Sequence, residues 1–352
     1  MTSMGTEKLP GTHSADEQFD DVVGFISIPD DTSVFIVVMH NDHRFCISVS
    51  ESSLKGAPVQ TMNEYLHLFS LLESDDSNAE TGDPVEKMSD WVIAACLTQF
   101  ATLAPPETKC QPQNLFDYFN PNTFSLELVI ADGELTAVQI VEDMRNAPFL
   151  VPNITLSESI ERLAENIPRV DPSEVKIDWT VPYYVVARPT KVFVGEEAYF
   201  FKPSPRGMDR HIGREIETLF RLRQSGLDVQ INVPVLHGLV RYGDSAGISG
   251  LLLTYIEHRN TLADVLRSIT PVSKDLKLKW HRQVIHMLSQ LHAAGIVWGD
   301  AKTDNILVDY NDDLWLIDYG GGYTRGFVDE SVAETLEGDL QGLSVLVDLL
   351  NS

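Results

Sequence analysis

The stretch Leu291-His292-Ala293-Ala294-Gly295-Ile296-Val297-Trp298-Gly299-Asp300-Ala301-Lys302-Thr303-Asp304-Asn305-Ile306-Leu307-Val308 runs into Asp309-Tyr310-Asn311-Asp312-Asp313 and then Leu314-Trp315-Leu316-Ile317-Asp318-Tyr319-Gly320-Gly321-Gly322. Two short apolar runs, 306–308 and 314–317, flank a loop of turn-forming residues, which predicts a β-hairpin. Antiparallel pairing brings Asn305, at the start of the first strand, beside Asp318, at the end of the second. An amide oxygen and a carboxylate so placed are hard ligands that suit Mg2+, which takes few protein ligands and fills its shell with water and phosphate. Asp300 and Lys302 stand just upstream, in a polar loop facing the same open end. A carboxylate there can accept a hydroxyl proton. The lysine can balance charge on a phosphoryl group in transfer, where catalysis is mostly positioning and electrostatics. Gly320, Gly321 and Gly322 let the backbone turn sharply away.

At these residues the sequence resembles the eukaryotic protein-kinase-like family. That family's signature is H-R-D, an Asn five residues after the Asp, then D-F-G; Trp298-Gly299-Asp300, Asn305 and Asp318-Tyr319-Gly320 occupy those places. Lys302 stands where Ser/Thr-type kinases carry their catalytic-loop lysine. The resemblance implies ATP and Mg2+ as cofactors, with Asp300 and Lys302 catalytic and Asn305 and Asp318 on the metal.

Upstream, apolar runs at 181–187, 192–194 and 198–202 predict three strands, with Gly195-Glu196-Glu197 as a tight turn. Lys202 ends the last. In the family a lysine on the third strand contacts the α/β-phosphates and pairs with a glutamate on the next helix. Ile212, Ile216, Leu219 and Leu222 recur at helical spacing and predict a helix over 209–224. Glu215 is the better partner by its place in Glu-Ile-x-x-Leu-x-x-Leu, with Glu217 the alternative. The run 251–257 predicts a buried strand leading to a connector like the family's hinge. The resemblance then sets Leu253, Thr254, Tyr255 and Ile256 against the adenine, with Leu307 a further nucleotide contact. Thr261 is a candidate N-cap for a short helix. A long helix is predicted over 273–294, with Leu276, Trp280, Val284, Leu288 and Leu291 as its core stripe.

The whole chain has 352 residues, 43% of them hydrophobic, enough for two domains at the usual ~150 residues each. Its net charge of −26 argues against nucleic-acid backbones and anionic membrane surfaces as partners. Cys46, Cys96 and Cys110 form no disulfide framework and no C-x-x-C, the pattern of reduced thiols in a cytoplasmic or nuclear protein. Residues 1–20 lack a basic start followed by an apolar core, so a disordered tail is expected there and not a signal peptide. The apolar helix candidate 91–103 is shorter than the ~20 residues of a membrane span and is expected to be buried.

Residues 21–170 lie outside the resemblance. Runs at 22–28, 33–39 and 44–49 predict an antiparallel meander, 62–72 an amphipathic helix, and 73–85 a mobile loop. Runs at 124–130 and 135–141 flank Ala131-Asp132-Gly133-Glu134, a hairpin signal. His40, Asp42, His43 and Cys46 are the nearest approach to a metal cluster, and their place on a hairpin tip favours a solvated turn. Residues 149–172, with a helical stretch at 157–166, are expected to link two units.

Some residues depart from the family. The turn Arg188-Pro189-Thr190-Lys191 has no glycine where the family covers phosphates with backbone amides. Phe200 stands where a small residue usually meets the base. Gly299 replaces the arginine that in the family pairs with a phosphorylated activation loop, so control by that route is not expected. Gly338-Asp339-Leu340-Gln341-Gly342-Leu343 resembles the start of the helix supporting the catalytic loop, with Asp339 its buried acid. No Ala-Pro-Glu follows Gly320, and the chain stops at Ser352, so a compact, truncated C-lobe is expected, as in the divergent kinase-like proteins of fungi.

The expected fold is therefore α+β: an accessory domain at 21–170, then a two-lobed protein-kinase-like domain at 175–352, its N-lobe at about 175–256 and its C-lobe at about 257–352. The implied activity is transfer of the γ-phosphoryl of Mg·ATP to a hydroxyl on a protein, a Ser/Thr kinase, or on a small molecule as in aminoglycoside- and choline-kinase-like relatives. The competing expectation is a pseudokinase serving as a binding scaffold.

Overall fold

The computed structural model describes residues 21–28, 31–73, 83–108, 110–141, 153–180, 189–243 and 247–351. The expected tail 1–20, most of the expected loop 73–85 and the expected strand 181–187 lie outside them. Contacts divide the chain into two units, Met1–Gln111 with Pro121–Ala147, and Pro112–Asn120 with Pro148–Ser352.

In the first unit, β1 (Asp21–Ile28), β2 (Ser33–His40) and β3 (His43–Val49) are antiparallel neighbours. Asn41 and Asp42 take φ of 49° and 61°, the left-handed backbone a two-residue hairpin turn needs. The helices α1 (Val59–Glu73) and α2 (Pro84–Leu103) then carry the chain across, so that β4 (Thr123–Ala131) pairs with β3 in parallel. The turn at Asp132 and Gly133 returns β5 (Glu134–Ile140) beside β4 and completes the order β1-β2-β3-β4-β5. Helix α2 starts earlier than position 91 because Asp83 caps Val85 N and Pro84 opens the first turn. That Asp-Pro start sits in a stretch whose composition is that of a loop. Met88, Val92, Cys96 and Phe100 of α2 pack with Tyr65 and Phe69 of α1 over Phe45, Ile47 and Leu126 of the sheet. The side chains at the β2–β3 turn do not converge on a common point. His40 stacks on Phe100, His43 stacks on Phe124, and Cys46 is buried.

The second unit opens with α3 (Leu115–Phe119), far up the chain from the rest of it. Next come β6 (Ile154–Thr155), α4 (Glu158–Leu163), β7 (Arg169–Val170) and β8 (Val175–Ile177). Residues 112–120 and 148–174 thus count with the second unit, although the sequence alone grouped them with the accessory domain and its link. β9 (Lys191–Val194) and β10 (Glu197–Pro203) meet at Gly195, φ 63°, and lead into α5 (Asp209–Gln224). β11 (Leu236–Val240), β12 (Gly247–Ile248) and β13 (Gly250–Thr254) follow.

The main sheet has the order β7-β11-β13-β10-β9-β8, while β12 pairs with β6. It is β8 that borders β9, and the connection 178–190 between them contains no glycine. The sequence hides this edge because its stabilising partners are remote. Val175 is buried with Leu115 and Phe119 of α3, and Ile177 N donates to Gln113 O at 3.0 Å. One sheet face therefore packs on α3 through Val192, Phe201 and Leu252, and the other packs on α5 through Leu239, Leu251 and Leu253.

Beyond the sheet, β14 (His258–Thr261), α6 (Leu262–Arg267), α7 (Lys274–Ala293), β15 (Ile306–Asp309), β16 (Leu314–Leu316) and α8 (Leu336–Asn351) complete the unit. Thr261 and Ser273 cap α6 and α7 by accepting from Asp264 N and Leu276 N. Along α7, Trp280, Val284, Met287, Leu288 and Leu291 are buried, at about 2 kcal/mol for each fully buried aliphatic side chain. Trp298, Ile306, Leu314 and Leu316 join that core, which locks the β15–β16 hairpin in register with Leu307 opposite Trp315. Among the described residues no helix is long and apolar enough to cross a membrane.

Candidate active site

Lys202 lies on β10 opposite Leu251, and its ammonium leaves the sheet toward α5 and the end of the hairpin. Its Nζ is 2.6 Å from Glu215 Oε2 and 2.8 Å from Asp318 Oδ1. Glu215 is wholly buried, on the face of α5 that carries Ile212, Ile216 and Leu219, whereas Glu217 is exposed. Burial pulls the Lys202 ammonium's pKa down, but the carboxylates of Glu215 and Asp318 more than offset this and leave it above the ordinary lysine value. Burial pushes the Glu215 carboxyl up, with Lys202 pulling against it. Partial burial of Asp318 acts the same way, yet Lys202, the Gly320 amide and Lys302 outweigh it, and the carboxyl sits below its usual range.

Asp318 has φ 61°, a left-handed backbone uncommon outside glycine, and its neighbours hold it there. Ile317 N donates to Asn305 O at 3.0 Å, Ile317 O accepts from Trp298 Nε1 at 2.9 Å, and Gly320 O lies 3.1 Å from His211 Nδ1. The strain is thus carried by the hairpin, the loop before it and α5 together.

Across the hairpin's open end, Asn305 Nδ2 donates to Asp300 O at 2.9 Å and to Asp300 Oδ2 at 3.1 Å. Lys302 Nζ lies 2.6 Å from Asp300 Oδ2 and donates to Thr324 Oγ1 at 2.9 Å, while Thr324 Oγ1 donates to Asp300 Oδ1 at 3.1 Å. Asp300 is therefore held by an amide, an ammonium and a hydroxyl. The loop that carries it is held from α8. Asp339, 1% exposed, accepts from Trp298 N at 2.8 Å and Gly299 N at 2.7 Å, and lies 2.9 Å from His292 Nε2. Two consecutive amides can aim at one carboxylate because Gly299 takes φ 96°.

The donor set fits Mg2+. With the Asn305 amide nitrogen committed to Asp300, Oδ1 is the atom left to coordinate, and Asp318 supplies a carboxylate that stays ionised. Among the described residues no group of three or more His, Cys, Asp or Glu forms a metal cage, and Mg2+ bound with phosphates needs none.

The expected base contacts are less uniform. Leu253 and Leu307 are buried, with Leu253 opposite Phe200. Thr254 is turned toward β11. Its N donates to Val235 O at 3.0 Å, and its Oγ1 accepts from Val235 N at 3.0 Å. Tyr255 and Ile256 line a cavity of about 260 Å³ with Glu257, Asp309, Tyr310, Asn311 and Trp315. Lys191, opposite Phe200 on β9, lies 4.7 Å from the Tyr255 ring centre and is ion-paired with Asp178 at 3.5 Å and Glu257 at 3.4 Å. Sequence reasoning passed over Lys191 and Thr324. Neither lies in a spacing that marks it, and each becomes visible only through the partner that the fold brings to it.

Comparison with known proteins bears on the family of this second unit. The protein kinase domain model matches residues 206–335, a span that holds Glu215, Asp300, Lys302, Asn305 and Asp318 and leaves Lys202 outside. The chain is similar to the probable serine/threonine-protein kinase KIN1 homologs of Encephalitozoon cuniculi (strain GB-M1) and Enterocytozoon bieneusi (strain H348), each 33% identical over 70 residues. The likeness covers 20% of this chain and 12% of each of those curated relatives. Through residues 206–335, where the ordered acids, lysine and amide lie, the chain is similar to the protein kinase domain.

Proposed function

We propose that the chain is a phosphotransferase that moves the γ-phosphoryl of Mg·ATP to a hydroxyl, with serine or threonine of a protein as acceptor. The observation that carries this reading is Lys202, whose one ammonium meets both Glu215 and Asp318. On this reading Glu215 holds Lys202 toward the nucleotide phosphates, and Asn305 and Asp318 hold Mg2+. The metal, when bound, supplies positive charge to the phosphates. Asp300 orients the acceptor hydroxyl and takes its proton, which its contacts with Asn305, Lys302 and Thr324 leave it placed to do. Lys302 offsets the charge that develops on the transferred group.

The second reading, a binding scaffold, is supported by the base side. Lys191 and Phe200 stand opposite one another there, and no glycine occurs between 178 and 190. Transfer itself separates the two. Purified protein is incubated with Mg2+ and γ-labelled ATP against serine/threonine peptides, tyrosine peptides, aminoglycosides and choline. Label on a hydroxyl acceptor, reduced at least a hundredfold by Asp300→Asn as expected for a lost general base, supports the phosphotransferase. Equal label from the Asp300→Asn protein would refute it.

A further inference from the structure

Gly299 and Gly321 belong to different loops, one carrying Asp300 and one following Asp318, yet both lie against the same side chain. A Cβ at Gly299 would overlap both Nη atoms of Arg214, and a Cβ at Gly321 would overlap Nη1. Arg214 is the residue before Glu215 on α5. Its Nη2 makes a long contact with Val297 O, 3.5 Å, and its Nη1 is buried with no hydrogen-bond partner among the described residues. The guanidinium is therefore held mainly by shape, as a flat cation between two bare stretches of backbone. Glu334 lies close by. Its Oε1 also reaches the space over Gly321, and its other oxygen is ion-paired with Arg210, one helical turn before Arg214.

We infer that Arg214 is a positioning residue that couples the Lys202–Glu215 pair to the Asp300 loop and to the Asp318 loop. Glu215 reaches Lys202 only when α5 has the right rotation and depth. The guanidinium fixes both by seating against Gly299 and Gly321, so a displacement of either loop is felt at Glu215. An arginine from α5 fills the space where Gly299 offers no side chain. The catalytic sense of this coupling rests on the phosphotransferase reading. The coupling itself does not.

The test uses the whole chain as wild type, Arg214→Ala, Gly321→Ala, the double variant, and Glu217→Gln as an exposed control on the same helix. Amide hydrogen exchange of 298–302 and 318–322 is measured with Mg·ATP affinity by calorimetry. Arg214→Ala is expected to speed exchange in both loops and to weaken Mg·ATP about tenfold, the size typical of lost outer supports. The control is expected to match wild type in exchange and affinity. Gly321→Ala, whose methyl displaces the guanidinium, is expected to do the same, and it also tests the contact should Arg214→Ala not fold. In the double variant the two effects fall short of their sum, because both remove the same Arg214 contact, while the strain of an alanine at positive φ is common to both backgrounds and cancels in the cycle. Wild-type exchange in both loops of Arg214→Ala, or effects that add in full, would overturn the inference. Absence of Mg·ATP binding by the wild type would instead strike the phosphotransferase reading, with the exchange cycle still deciding the coupling.

Discussion

Lys202 and Asp318, remote in the chain, meet at 2.8 Å, and the same ammonium reaches Glu215 at 2.6 Å. Lys202→Met leaves the Glu215 carboxylate buried without its cation, which costs about 3–5 kcal/mol when one partner of a buried pair is removed. Glu215→Leu added to it is expected to recover most of the loss, because an apolar pair needs no desolvation of charge. Urea unfolding followed at the second unit's transition measures both. A Lys202→Met protein as stable as wild type would mean that the pair is not formed.

Asp318 makes stability depend on pH in a known direction. Partial burial opposes its ionisation, but Lys202 holds its pKa below the ordinary value of about 3.9. The stabilisation is therefore present above about pH 3.9 and is lost as pH falls through the lower, folded value. In Lys202→Met the Asp318 carboxyl loses the main charge that opposes burial and is expected to titrate higher than in the wild type. An NMR titration of that carboxyl reads the change, and an identical midpoint in both proteins would contradict it.

Asp339 is 1% exposed and accepts from two successive backbone amides, those of Trp298 and Gly299. Asp339→Ala leaves both N–H groups buried without acceptors, at about 1–3 kcal/mol each, so a loss of roughly 2–6 kcal/mol is expected in urea unfolding. Asp339→Asn keeps one good acceptor and is expected to lose less. Equal losses in the two variants would show that the amides are not what Asp339 supports.

Much of this fold was legible because its signals are local. The hairpin at 306–316, the helix at 209–224 and the turns at Asn41-Asp42 and Asp132-Gly133 follow from period, capping and backbone freedom within a few residues. Asp300, Lys302, Asn305 and Asp318 could be singled out as candidates because their order and spacing stand in the sequence. What was not legible depends on distant partners. β8 is an edge strand only because α3 buries Val175, and Arg214 gains its place only where Gly299 and Gly321 come together. The pairing of Phe200 with Lys191 is likewise a product of strand register, which composition does not reveal.

The three thiols differ in exposure. Cys46 and Cys96 are buried and Cys110 is exposed, and burial pushes the Cys46 thiol up to about 11 against the opposing charge of Arg44. A thiol reagent at pH 8 is expected to modify Cys110 quickly in the native protein and the other two only on unfolding. Fast modification of Cys46 in the folded protein would contradict the packing of β3.

The most direct test of the account is Mg·ATP binding to the whole chain by calorimetry, alongside Asp318→Ala. On the proposed function, Mg2+-dependent binding is expected in the wild type and is lost in Asp318→Ala, because that carboxylate would hold the metal and also anchors Lys202. Binding that survives Asp318→Ala unchanged, or no binding by the wild type at several millimolar ATP, would contradict it.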